Sequence, residues 1–269
     1  MAFAQPDRPR AHLPEPVPSP AVVTALRRGV CVFAEEEALL LTEAADSERE
    51  LDVLVARRIA GEPLEHLLGW VQFCDMRIAV TPGVFVPRRR TEFLTGCAAR
   101  SAPANPVVVD VCCGCGAVAT VLAATLDGAE VYATDIDPVA VRCARLNLPP
   151  DRVFEGDLFE ALPDSLRGRV DVLVANAPYV PSAAIGSMPR EARCSEPRVA
   201  LDGGEDGLDI HRRLAAEADR WLGPGGHLLI ETAASQAPVA EKMLAHAGFR
   251  ARTRFSDESD ATVVVGDRR

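Results

Sequence analysis

The chain is predicted to be α/β: an open, mostly parallel, Rossmann-like sheet of seven strands with an antiparallel last strand, plus a small N-terminal helical domain and a linking β-hairpin. Three features predict it. From Asn105 onward, short apolar runs rich in β-branched residues alternate with helical segments, and strands separated by helices build βαβ units and a parallel sheet. The last two runs, 249–255 and 261–265, are joined by residues 256–260 alone, too short for a helical crossover, so this pair is antiparallel. Before Asn105 the apolar spacing is first helical and then alternating.

Taken in order, residues 1–20 contain six prolines and few large apolar side chains, so residues 1–19 are expected to be a disordered arm. From Pro20 to Leu68, Val22, Val23, Leu26, Leu39, Leu40, Leu51, Leu54 and Val55 keep helical spacing. Two or three helices are expected in a domain over 20–69, the last broken near Gly61-Glu62-Pro63. Residues 70–86 alternate through Phe73, Met76, Ile78 and Val80 and turn at Thr81-Pro82-Gly83, a hairpin signal. A helix over 91–100 with Thr91 as its N-cap completes a linker spanning 70–104. The remainder, 105–269, is expected to hold strands 107–111, 130–134, 152–155, 170–175 and 226–231, then the final pair, with helices 118–126, 138–146, 208–221 and 236–247.

Composition narrows the function. At 269 residues, 48% hydrophobic and 25% charged, the chain is globular with ample core. A formal net charge of -10 argues against a broad nucleic-acid footprint. Of eight cysteines, Cys112, Cys113 and Cys115 form one tight run with no second ligand pair at zinc spacing. Reduced thiols in a cytoplasmic protein are expected, with no metal. No apolar run approaches the roughly 20 residues that span a membrane.

The chemistry gathers where strands end. Val170 to Ala175 reads as a buried strand that Pro178 and Pro181 cannot continue, so Asn176 sits at its carboxyl end, where open parallel sheets bind ligands. The Asn176 amide oxygen can accept an N–H from a planar nitrogen, a carbonyl freed by the proline turn can accept another, and Tyr179 can cover the flat face. An ordinary Asx turn after a core strand has the same sequence. Upstream, Asp110-Val111-Cys112-Cys113-Gly114-Cys115-Gly116 closes the first core strand and opens a helix, which lets backbone approach a ligand. It also suits a tight turn without one. Asp135, followed by Ile136, ends the next strand and can accept from ribose hydroxyls. Asp157 after the third can accept from an adenine amino group, with Leu158 or Phe159 over the ring. Three such loops in register point to an adenosine compound, and the absence of a nearby lysine disfavours a triphosphate.

These residues resemble the HemK-type protein-(glutamine-N5) methyltransferases, which modify the glutamine of Gly-Gly-Gln in peptide chain release factors. The resemblance spans about residues 58–265 and is carried by Gly61-Glu62-Pro63-Leu64 before Gly69, by Pro87-Arg88-x-x-Thr91-Glu92, by the glycine loop, Asp135, Asp157 to Phe159 and Asn176 to Tyr179, and by the run 195–208. It implies a class I S-adenosylmethionine-dependent methyltransferase, whose sheet likewise ends in an antiparallel hairpin. It also implies that Asp110, Cys112, Cys113, Gly114, Cys115, Gly116, Asp135 and Ile136 bind the cofactor while Asp157 and Leu158 flank adenine. Arg88, Thr91 and Glu92 would brace that pocket. Asn176, Ala177, Pro178 and Tyr179 would hold the glutamine amide, with Glu196 and Pro197 on the substrate side, and Asn176, Pro178 and Tyr179 would be catalytic. The sequence departs from the family at Cys112, at Ala177, and at Arg89 and Arg90, where a Pro-Glu is common. The expected partner is a release-factor-like protein loop, with no stable nucleic-acid complex and a monomer or weak dimer. The alternatives are methylation of an exocyclic amine on a nucleic acid or small metabolite, and a non-catalytic S-adenosylmethionine-binding relative.

Overall fold

The computed structural model describes residues 18–268, so nearly all of the expected N-terminal arm lies outside the described residues. The chain divides into two compact units, 1–64 and 65–269. In the first, α1 (Pro20–Arg28), α2 (Ala34–Ala44) and α3 (Glu48–Ile59) bury Val23, Leu26, Ala38, Leu41, Leu54 and Val55. Ser47 caps α3 by accepting the Glu50 N–H, which satisfies one of the helix's orphan donors. Arg58 pairs with the buried Glu37 at 2.7 Å. The break at Gly61-Glu62-Pro63 is where expected, and α4 (Leu64–Leu68) follows it.

The second unit begins with β1 (Trp70–Phe73) and β2 (Met76–Ala79), an antiparallel hairpin. Its turn is at Cys74-Asp75, where φ is 46° and 61°, and not at Thr81-Pro82-Gly83. Phe73 pairs with Met76, so the loop has two residues, and positive φ at both is the turn that matches strand twist. No glycine or asparagine marks it in the sequence. Next comes α5 (Thr91–Ser101). Arg90 occupies its N-cap position without a side-chain cap, so Thr91 is the first helical residue, and its hydroxyl is engaged elsewhere.

The chain then runs β3 (Val107–Val111), α6 (Ala117–Thr125), β4 (Glu130–Asp135), α7 (Pro138–Ala144), β5 (Val153–Glu155) and β6 (Val170–Ala175). After short helical turns and α8 (Arg190–Ser195) come α9 (Asp209–Glu217), β7 (Leu222–Thr232), α10 (Ala237–His246), β8 (Arg250–Ser256) and β9 (Ala261–Asp267). The seven-stranded sheet has the order β5-β4-β3-β6-β7-β9-β8. Its first five strands are parallel, β9 runs antiparallel to β7, and β8 antiparallel to β9. This is the class I methyltransferase arrangement that the sequence predicted.

Alternation along each strand divides the core between two faces. Val108, Val172, Val174 and Leu229 pack with α5, α6 and the hairpin, while Val109, Leu173, Ile230 and Val264 pack against α9 and α10. Asn147 ties the hairpin to the loop after β3. Its Oδ1 accepts the Ala79 N–H at 2.9 Å, and its Nδ2 donates to the Ala79 and Cys115 carbonyls, both at 2.8 Å.

Candidate active site

Strands β3, β4 and β6 deliver their carboxyl ends to a cavity of about 700 Å3, the expected place for a ligand in an open parallel sheet. β3 supplies Asp110, whose Oδ2 accepts the Ala119 N–H at 3.1 Å. Burial pushes its carboxyl up to about 8, where the neutral acid predominates at pH 7. The loop after it is left-handed at Cys112, Gly114 and Gly116, with φ of 60°, 57° and 77°. A residue with a Cβ pays about 1–2 kcal/mol for that conformation, so Cys112 is held there at a cost. Burial also raises the thiols of Cys112 and Cys113, and neighbouring Asp135 adds to the effect.

Asp135 sits at the end of β4, with Oδ2 accepting from Gly114 N–H at 2.8 Å and Oδ1 from Asp137 N–H at 2.9 Å. It therefore pins the turn whose backbone lines the cavity, and burial raises its carboxyl. Past β5, Asp157 Oδ2 takes Arg213 at 2.8 Å, and Leu158 is left-handed at φ 50°. The Thr134 hydroxyl fixes that conformation by donating to the Leu158 carbonyl at 2.6 Å.

β6 ends at Ala175, leaving Asn176 to Tyr179 on the cavity wall. Asn176 Nδ2 donates to Thr91 Oγ1 at 3.2 Å. Its Oδ1 has no hydrogen-bond partner among the described residues and is open to the cavity. The Tyr179 carbonyl is taken by Gln236 Nε2 at 2.9 Å and the Val180 carbonyl by Gly203 N–H at 2.9 Å. Among the described residues, the backbone carbonyls of Asn176, Ala177 and Pro178 accept no hydrogen bond. The Tyr179 hydroxyl donates to Glu231 Oε1 at 3.2 Å, and the Arg90 guanidinium lies 5.8 Å from the Tyr179 ring centre.

Sixteen residues of the predicted set line this one cavity: Arg88, Thr91, Asp110, Cys112, Cys113, Gly114, Cys115, Asp135, Ile136, Asp157, Leu158, Asn176, Ala177, Pro178, Tyr179 and Pro197. Gly116 and Glu196 do not. Gly116 is the left-handed N-cap of α6, and a Cβ there would stand 3.0 Å from Leu148 Cδ1, so its role is close packing. Glu196 is buried, its Oε1 bound by Arg88 and by the Val86 N–H, and it braces the wall from behind. Glu92 is also behind the wall, accepting the Cys74 N–H at 3.2 Å. Sequence reasoning missed Arg90, Arg213, Glu231 and Gln236. Glu231 had a readable signal: it is a carboxylate directly following the buried run Leu228-Leu229-Ile230.

A family model described as "Ribosomal protein L11 methyltransferase (PrmA)" matches residues 98–178, which include the loop after β3 and the turn after β6. The "Release factor glutamine methyltransferase" of Geobacter sulfurreducens is 39% identical over 219 residues, covering 80% of this chain and 76% of the relative. The "4-amino-L-phenylalanine/4-methylamino-L-phenylalanine methyltransferase" of Streptomyces pristinaespiralis is 36% identical over 214 residues, covering 76% of this chain and 71% of the relative. Among solved structures, the ribosomal protein L11 methylase of Lactobacillus delbrueckii subsp. bulgaricus superposes with a TM-score of 0.52 at 19% identity, over 71% of this chain and 85% of that one. That likeness concerns the fold alone.

Proposed function

The chain belongs to the release factor glutamine methyltransferase family, and from that premise we propose that it methylates the side-chain amide nitrogen (N5) of a protein glutamine in a release-factor-like Gly-Gly-Gln loop, using S-adenosylmethionine. The observation that carries this reading is the Asn176 carboxamide, anchored at Nδ2 by Thr91 and open at Oδ1, beside unused backbone carbonyls that include those of Ala177 and Pro178.

The cavity fits the cofactor by its donor set. Asp135 and Asp157 place carboxyl groups along its lining, beside the protonated Asp110, suited to a ligand with ribose hydroxyls and cationic groups. Lys242, the only lysine of the chain, is not among the lining residues. Asp135, Ile136 and the loop 112–115 would hold the sugar and the amino-acid end, and Asp157 and Leu158 would flank adenine. S-adenosylmethionine supplies a methyl group on a positively charged sulfur.

The protein's part is to aim a poor nucleophile, because an amide lone pair is delocalised into its carbonyl. Asn176 Oδ1 accepts one N–H of the glutamine amide, and the Ala177 or Pro178 carbonyl accepts the other. The two acceptors fix the nitrogen and stabilise positive charge developing on it, while the Tyr179 ring covers the amide face. Such alignment is worth roughly 7–11 kcal/mol at best. The surplus proton passes from the nitrogen to water after transfer, so no general base is needed before it. The reaction belongs in the cytoplasm, in keeping with eight cysteines that form no disulfide among the described residues. No helix among the described residues is long and apolar enough to cross a membrane. A stable nucleic-acid complex is not part of this reading, and the chain acts as a monomer or weak dimer.

A second reading, methylation of an arylamine on a small metabolite, is favoured by the Streptomyces relative and by the apolar wall of Met188, Ala192, Val199, Leu201 and Ile210. Tritiated S-adenosylmethionine separates the two when offered with a release factor, its Gly-Gly-Gln→Gly-Gly-Ala variant, 4-amino-L-phenylalanine, a DNA oligonucleotide or buffer. Label is expected on the release factor and absent from the alanine variant. Label on the amino acid alone would replace the first reading with the second.

A further inference from the structure

We propose that the mouth of the cavity is a docking surface for an acidic protein face, on which Arg89, Arg190 and Arg193 receive carboxylates that flank the target glutamine. This rests on the reading above that the acceptor is a protein loop, and it adds the charge of that protein. Two segments of the chain form the mouth. Arg88, Arg90, Pro189, Glu191 and Ala192 line the cavity, and the three arginines adjoin them in sequence while standing exposed themselves. Glu196 staples the two segments together: its Oε1 accepts from Arg88 and, at 3.2 Å, from the Val86 N–H. The arginines of both segments therefore share one fixed border.

The charge at this border opposes that of the whole chain. Over residues 85–93 and 186–200, six arginines stand against three glutamates, in a chain whose formal net charge is -10. Of those glutamates, Glu196 is buried and Glu92 accepts from the hairpin turn. Three of the arginines are already engaged: Arg88 with Glu196, Arg90 with Glu231 and Arg198 with Asp202. Arg89, Arg190 and Arg193 have no hydrogen bond or ion pair among the described residues. A guanidinium offers a planar fork of N–H donors that matches a carboxylate. A local positive patch on an acidic chain draws an acidic partner to that patch and repels it from the remaining surface, which orients the glutamine loop toward Asn176. A nucleic acid is anionic too, but it gains affinity with each phosphate neutralised, and past these arginines it would meet a surface of its own sign.

The plain alternative is three solvated side chains with no partner. The test compares the unaltered chain with the triple variants Arg89→Gln/Arg190→Gln/Arg193→Gln and Arg89→Lys/Arg190→Lys/Arg193→Lys, each checked for folding by its melting transition. With a release factor as acceptor at low salt, the glutamine triple should raise KM about tenfold, the combined effect of three surface ion pairs. The loss should lie in KM and not in kcat, with S-adenosylmethionine affinity unchanged by calorimetry. It should vanish at about 0.5 M salt, where surface attraction is screened, and the lysine triple should stay near the unaltered chain because it keeps the charge. Fluorescence anisotropy with labelled deca-glutamate and an RNA of about ten nucleotides reads the surface without catalysis. The unaltered chain should bind the peptide more tightly than the RNA, and the glutamine triple should lose the peptide. Tighter binding of the RNA, equal peptide binding by both chains, or a KM shift that is absent or persists at high salt overturns the proposal. Should release factors prove not to be substrates, the proposed function fails, while the anisotropy comparison still decides what the mouth attracts.

Discussion

At the scale of single residues, acids near the cavity have distinct tasks. Asp135 holds the turn at Gly114 and at Asp137 through its two oxygens, and in the proposed reaction it also accepts from the ribose. Asp135→Ala removes hydrogen bonds to a charged group worth about 1.5–3 kcal/mol each, so S-adenosylmethionine affinity should fall at least about a hundredfold by calorimetry. An unchanged affinity in a folded variant would take Asp135 out of the site. Asp110 works in the opposite sense. Its carboxyl rises from 3.8 to about 8 on burial, so the folded chain keeps a proton that the unfolded chain releases between those values. Its contribution to stability is complete below about pH 4 and is lost as pH rises through 8. Asp110→Asn keeps an acceptor for Ala119 and has no proton to lose. Denaturant titrations should show the unaltered chain weakening from pH 5 to 9 and the variant weakening less. Asn176 separates binding from chemistry: Asn176→Ala should leave cofactor binding near normal and cut transfer at least about a hundredfold, read in single turnovers.

At the scale of elements, the turn after β6 is clamped from behind. Gln236 Nε2 bridges the carbonyls of Tyr179 and Asp206, both at 2.9 Å, and a Cβ on Gly207 would stand 2.3 Å from the Tyr179 oxygen. Gly207 also has φ 79°. Gly207→Ala should cost at least about 2 kcal/mol from the left-handed backbone and the overlap together, seen as a lower melting temperature and a misplaced Asn176. β6 was legible to the residue, 170–175, because a short β-branched run ending before prolines has one reading. The hairpin turn was misplaced because Cys74-Asp75 takes positive φ without glycine, while Pro82-Gly83 advertises a turn. Thr91 looked like a cap, but its hydroxyl serves a residue 85 positions away, a partner that no local pattern reveals. The segment 182–200, three short helical turns in succession, has no periodicity to read.

At the scale of the whole molecule, every residue lining the cavity belongs to the unit 65–269, which also contains the entire sheet. A fragment beginning at Gly61 should therefore fold and bind S-adenosylmethionine as tightly as the full chain. Loss of binding in a folded fragment would give residues 1–60 a part in the cofactor site. The architecture was legible because strand, helix and strand recur with little interruption after Asn105, whereas Glu231 and Gln236 escaped notice because the Tyr179 they hold is 52 and 57 positions away in the chain. One margin of that sheet has a further consequence. β8 is its outermost strand on the β9 side, with Arg250, Arg252 and Arg254 at alternate positions and so on one face. Asp267 of β9 pairs with Arg250 and Arg252, so a second copy adding its own β8 along this rim would have to seat long, charged side chains already committed to a partner. Charged side chains of this kind on an edge strand discourage strand addition and fibre growth.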